Sequence, residues 1–198
     1  MLTTIVDYGA GNIRSVQNTL DELGAQYLVT NNPAEVMAAR KVILPGVGHF
    51  GQMMQALDRL GLREPILERI GAGVPFLGIC VGLQCLFDGS DESPGVAGLS
   101  VFPGTVKRFV GDARIPHMGW NSLVRHKPSK LLAGLPEDMF TYFAHSFYAP
   151  LTDATAASCT YIQPYSAVLE RGNIHAVQFH PEKSGPVGLR VVRNFLEI

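Results

Sequence analysis

Two short apolar runs, Lys41 to Leu44 and Val74 to Ile79, show no alternation of apolar and polar residues, and this narrows the fold more than any other feature of the chain. A strand with one face in water alternates; a strand without a polar face must be covered on both sides, as in a parallel sheet held between helices. Up to about Phe87 such runs take turns with helical stretches. Thr3 to Val6 precedes Asn12 to Leu23, in which Ile13, Val16, Leu20 and Leu23 fall on one stripe. Repeated βα units of this kind predict an α/β fold, a doubly wound and mostly parallel sheet with flanking helices. From about Ser90 to Tyr165 the segments become short, alternating and broken by Gly and Pro. Thr105 to Val110 and Thr141 to Phe147 are examples, and they predict a small antiparallel subsheet. The chain returns with Ile174 to Phe179 and closes on a helix from Pro186 to Leu196, where Val187, Val191 and Phe195 share a face. No repeat or linker interrupts this course. At 198 residues and 46% hydrophobic content, residues 1–198 are expected to form a single domain around one core.

Charge and cysteine usage exclude several classes. Sixteen Lys and Arg against 17 Asp and Glu leave a net charge of -1, so nothing draws the chain to nucleic acid or to an anionic membrane. Three cysteines without a C-x-x-C pair fit neither a disulfide framework nor a zinc ribbon, and imply reduced thiols in a cytoplasmic setting. The strand-like run Leu2 to Val6 follows the first residue directly. No basic leader, cleavage pattern or membrane-length apolar stretch is visible, so no targeting or anchoring is expected.

The residues that carry chemistry begin with Gly78, Ile79, Cys80, Val81 and Gly82, between an apolar strand and the helical stretch read at Leu83 to Phe87. This is the G-x-S-x-G turn with sulfur for oxygen: small flanking residues let the chain turn sharply and lift the nucleophile above the sheet, and the helix start favours the thiolate. At the end of the last strand stand Gln178, Phe179, His180, Pro181 and Glu182. In extended chain, positions two apart point the same way, so Glu182 can orient His180, which exchanges a proton with Cys80. A third segment, Pro45, Gly46, Val47 and Gly48, follows a buried run. A tetrahedral intermediate needs oxyanion donors, and the amides of Val47 and Val81 can supply them, although a glycine-rich loop can also rest with its donors turned away. Catalysis is therefore expected from Cys80, His180 and Glu182.

Other features carry less. Gly9, Ala10 and Gly11 hint at a dinucleotide loop, but Arg14 takes the place of the third glycine. His180 and Glu182 imitate the H-x-E of zinc deaminases without the P-C-x-x-C that completes the site, so neither metal nor cofactor is called for. Cys85 and Cys159 lie in apolar settings and are read as packing residues, and His126, between Arg125 and Lys127, as solvated. His49, His117, His145 and His175 stay open as polar walls of the site.

A cysteine turn, a glycine-rich loop and a terminal His-Pro-Glu in this order resemble the class I, triad-type glutamine amidotransferases over essentially the whole chain. The resemblance narrows with Val6 to Asn12, Pro116 to Asn121 and Phe179 to Gly185, which look like the glutaminase subunits of imidazole glycerol phosphate synthase. In that family, ammonia made from L-glutamine passes to a (β/α)₈ cyclase subunit, and the implied pathway is histidine biosynthesis. Carried over by position, the resemblance makes Cys80 the residue that forms a glutamyl thioester, and lets Gly48, Gln84, Ser146 and Phe147 grip glutamine. It turns Asn12, Trp120, Tyr142 and Lys183 towards the cyclase, with core aromatics as the other reading of Trp120 and Tyr142. Family members often carry Tyr where this chain has Phe147, so only a main-chain role survives there. Three rival readings stand beside this one: the glutaminase of a pyridoxal phosphate synthase, a non-catalytic regulatory module, and a free-standing cysteine peptidase.

Overall fold

The computed structural model describes residues 1–10 and 12–198; Gly11, the second glycine of the opening loop, lies outside the described residues. The first half runs β1 (Thr3–Val6), α1 (Ile13–Glu22), β2 (Tyr27–Thr30), α2 (Pro33–Met37), β3 (Val42–Gly46), α3 (Phe50–Arg59), α4 (Arg63–Gly71), β4 (Phe76–Cys80) and α5 (Val81–Gln84). The second half runs β5 (Phe87–Ser90), β6 (Phe102–Arg108), β7 (His117–Ser122), β8 (Val124–Arg125), β9 (Phe140–His145), β10 (Phe147–Tyr148), β11 (Thr155–Thr160), β12 (Pro164–Arg171), β13 (Ile174–Val177), a 3₁₀ turn at Pro181–Lys183, and α6 (Gly185–Glu197).

The main sheet has eight strands in the order β2-β1-β3-β4-β13-β12-β11-β8. Its first five strands are mutually parallel, and the non-alternating runs lie at its centre: every residue of β3 and β4 is buried. The stripe read on α1 packs inward, with Val16 and Leu20 buried and Ile13 and Leu23 partly so. On α6, Val191 and Phe195 are fully buried.

The antiparallel expectation holds, divided among several pieces: β12, β11 and β8 pair antiparallel along the edge of the main sheet, β7 and β9 form a separate antiparallel ribbon, and β10 pairs antiparallel to β6 in a third sheet that β5 completes. Alternation reports that one face is covered, and any sheet edge or ribbon can provide that cover. The helix read at Leu83 to Phe87 is instead α5, one turn over Val81–Gln84, and Phe87 opens β5. The Leu86 carbonyl accepts from the amides of Val101 and Phe102, so pairing with a later segment of the chain claims the residues that would have continued the helix.

Close approach of backbones builds the turn at Cys80. A Cβ on Gly82 would sit 2.0 Å from the Leu44 carbonyl oxygen, and one on Gly78 would sit 2.4 Å from the Gly82 carbonyl oxygen. The flanking glycines therefore let β4 double back into α5 against β3, and any side chain would force main chain apart. We predict that Gly82→Ala costs on the order of 3 kcal/mol, at the upper end for overpacking because the obstacle is backbone. Urea unfolding measures this, and an unchanged midpoint would show that the turn can relax.

Candidate active site

The parallel strands β3, β4 and β13 end on the same edge, with Gly46 beside Cys80 in register, and that edge brings the candidate segments together. Cys80 has φ 54° and ψ -108°, a left-handed conformation that costs a non-glycine residue about 1–3 kcal/mol and is held by the packing around it. The thiol is thereby placed between the strand end and the first turn of α5. Because α5 has only four residues, its dipole is slight, and the nearby charge that bears on the sulfur is the imidazole.

His180 Nδ1 lies 2.8 Å from Glu182 Oε1, and both side chains are almost wholly buried. The route differs from the extended one read from the sequence: His180 is extended (φ -96°, ψ 97°), but Pro181–Lys183 forms a 3₁₀ turn that folds Glu182 back onto the ring. Main chain fixes the imidazole too. The His180 amide donates to the Tyr142 carbonyl (2.9 Å), and Ser184 Oγ donates to the His180 carbonyl (2.7 Å) while accepting from the Tyr142 amide (3.0 Å). With Nδ1 committed to Glu182, Nε2 is the ring nitrogen left for Cys80. Burial opposes the imidazolium, but interaction with the Cys80 sulfur and the Glu182 carboxylate outweighs it and raises the His180 pKa to about 10.

A cavity of about 350 Å³ opens over the sulfur and brings together Val47, Gly48, Cys80, Val81, Gln84, Ser146, Phe147, His180 and Lys183. Glu182 stands behind His180. Val81 is the first residue of α5, so its N–H has no partner within the helix. The Val47 amide is turned away: it donates to the Tyr8 hydroxyl (3.2 Å), which donates in turn to the Val47 carbonyl (3.3 Å). Burial raises the Tyr8 pKa to about 12, so this hydroxyl keeps its proton.

Of the histidines left open, only His145 reaches the cavity wall. His117 lies behind it, stacked on Tyr161 and Phe143; His49 caps α3 and meets Ser93; and His175 sits at the opposite end of β13, bonded to the Asn173 carbonyl. His126 is exposed and bonds Ser158 Oγ. Burial pushes the thiols of Cys85 and Cys159 up to about 12 and about 11, as packing residues require. Trp120 is 56% exposed and so is no core aromatic; it meets Tyr142 edge-on at 6.1 Å, while Lys183 Nζ lies 5.9 Å from the Tyr142 ring. Asn12 Nδ2 reaches Glu182 Oε1 at 3.5 Å. Sequence reasoning assigned no role to Tyr8, Gln178 or Met118. All three stand within segments already singled out, but that Met118 is exposed and lines the cavity is announced by no local signal.

The family model for glutamine amidotransferase class-I matches residues 4–198. The imidazole glycerol phosphate synthase subunit HisH of Methanothermobacter thermautotrophicus is 50% identical over 198 residues, covering 100% of this chain and 98% of that one. Imidazole glycerol phosphate synthase hisHF, chloroplastic, of Arabidopsis thaliana is 45% identical over 98% of this chain but only 34% of its own length. A crystal structure of a glutamine amidotransferase shares the fold, with TM-score 0.77 at 20% identity over 98% of this chain and 97% of that one. The chain belongs to the class-I glutamine amidotransferases, whose fold it shares. Within that class it belongs with the HisH subunits of imidazole glycerol phosphate synthase.

A raised pKa means that His180 stays protonated at neutral pH and loses its proton only as pH rises through about 10. Glu182→Gln removes one of the interactions that hold the proton, so the imidazolium should deprotonate at lower pH. Imidazole ¹⁵N NMR titration reads this directly; the same titration in wild type and variant would show that Glu182 does not govern the ring.

Proposed function

We propose that the chain hydrolyses L-glutamine to glutamate and ammonia through Cys80, His180 and Glu182, and delivers the ammonia to a (β/α)₈ cyclase subunit making imidazole glycerol phosphate in histidine biosynthesis. The observation that carries the chemistry is a buried Glu182–His180 pair set against Cys80 under one open cavity. The Cys80 thiolate attacks the side-chain carbonyl carbon of glutamine, and the oxyanion that forms is met by the Val81 amide. His180 gives its proton to the leaving nitrogen, the C–N bond breaks, and ammonia departs from a glutamyl thioester. Water then loses a proton to His180 as its oxygen attacks the thioester, and the thiolate leaves with glutamate released. Gly48, Gln84, Ser146 and the main chain of Phe147 form the glutamine subsite.

A second oxyanion donor, the Val47 amide, becomes available only when it leaves Tyr8, which fits a glutaminase that waits for its partner. Trp120, Tyr142, Lys183 and Asn12 form the docking surface, and two of them touch the triad: Tyr142 through main chain to His180, and Asn12 through its carboxamide to Glu182. The longer Arabidopsis chain supports a cyclase as that partner. Among the described residues no helix is long and apolar enough to cross a membrane.

Cys80→Ala should lower glutamine-dependent synthesis by a factor on the order of 10³ or more while sparing synthesis from added ammonium. Glutamine-dependent turnover near wild type refutes the assignment. Tyr8→Phe removes both bonds that hold Val47, and should raise glutaminase activity of the isolated chain about tenfold, equivalent to about 1.4 kcal/mol of loop equilibrium, narrowing its gap to the assembled enzyme. An isolated Tyr8→Phe chain no faster than wild type would remove Tyr8 from the gating scheme.

A further inference from the structure

The Phe147 carbonyl can only accept hydrogen bonds, and two buried side chains converge on it: His145 Nδ1 at 2.7 Å and Gln84 Nε2 at 2.9 Å. Each must therefore donate. The second hydrogen of the same Gln84 amide group points at a side-chain oxygen, Gln178 Oε1, at 3.1 Å. With its oxygen so committed, Gln178 has only its NH₂ group left for its other neighbour, the Cys80 sulfur, at 3.6 Å. Gln178 is 0% exposed and Gln84 3%, so water does not compete for either amide. One backbone carbonyl thus sets the polarity of a relay that ends as an N–H aimed at sulfur.

The other branch holds the carbonyl in place. Because His145 donates through Nδ1, its Nε2 accepts from the Tyr165 hydroxyl (3.2 Å), whose oxygen in turn accepts from His117 Nδ1 (3.1 Å). Burial keeps both imidazoles neutral, lowering the His145 pKa to about 3 and that of His117 to about 4, so each ring has the single N–H this arrangement needs. The direction of both branches is set at the Phe147 carbonyl, which has no proton to give.

We infer that Gln178 is a catalytic hydrogen-bond donor to the nucleophilic sulfur, and that Gln84 is a positioning residue which holds the Gln178 amide in its donating orientation. The inference rests on the reading of Cys80 as nucleophile. A donor fixed on sulfur steadies the thiolate before it attacks and again when it leaves the thioester, and it adds no charge that would compete with His180. It also gives Gln84 a task independent of glutamine, since its effect on sulfur operates with the cavity empty.

The test is alkylation of Cys80 by iodoacetamide from about pH 6 to about pH 9, followed by peptide mass mapping, on the complex with the cyclase. Gln178→Met keeps the volume and removes the N–H, and should slow alkylation at neutral pH about tenfold, with the rate converging on wild type as pH rises. Gln178→Glu puts a like charge against the sulfur and should slow it further. Gln84→Met, which does not touch the sulfur, should slow it in the same pH-dependent way, an effect that a residue merely gripping glutamine would not have. Wild-type profiles for Gln178→Met and Gln84→Met, with Cys80 still alkylated ahead of Cys85 and Cys159 in the parent, overturn this inference alone. If Cys80 in the parent is alkylated no faster than those two buried thiols, the nucleophile assignment falls and takes the inference with it. Should Gln178→Met not fold, as seen by its thermal transition, the profile of Gln84→Met decides.

Discussion

At the turn from β4 into α5, three stretches of main chain lie closer together than any side chain on Gly82 would allow, with the Leu44 carbonyl oxygen only 2.0 Å from where its Cβ would be. That contact locks β3 to the turn, and the turn imposes the left-handed conformation of Cys80. Strain of this size persists only where the surroundings over-determine it, and here they are the all-buried central strands and the close backbone contact at Gly82. Cys80 stands at the end of a fully buried central strand, while the Val47 amide, one residue beyond β3, is held by the Tyr8 hydroxyl.

Electrostatics in the cavity are divided between groups kept charged and groups kept neutral. His180 and Glu182 form a buried pair, and the raised pKa of His180 follows from Cys80 and Glu182 together despite the burial that opposes it. Immediately behind, His145 and His117 are buried without a carboxylate and stay neutral, so they act as rigid single donors. Two kinds of histidine within one site thus differ by whether an acceptor with charge was brought within reach, which is a matter of tertiary placement.

Much of this was legible from local pattern. The non-alternating runs predicted the parallel core, the Gly-Ile-Cys-Val-Gly turn located the thiol, and the His-Pro-Glu segment placed the imidazole beside its carboxylate. Each rests on rules that act within a few residues: burial periodicity, the small volume of glycine, the fixed φ of proline. Where the reading failed, a distant segment had intervened. The helix after Cys80 stops after one turn because Leu86 pairs with Val101 and Phe102, and Glu182 meets His180 through a 3₁₀ turn that Tyr142 braces from β9, bonding His180 and Ser184 at either end of it.

The sequence by itself determined the chemical inventory: a thiol in a strained turn, an imidazole and carboxylate two residues apart, a glycine-rich loop after a buried strand, and a central sheet that must be covered on both faces. Only the tertiary structure decided how those groups are connected. Tyr8 on Val47 spans 39 residues, Gln178 on Cys80 spans 98, and Asn12 on Glu182 spans 170. The direction of each hydrogen bond in such a contact is set by what the partner's other atoms already hold, and at these separations along the chain no local pattern encodes which partner that will be.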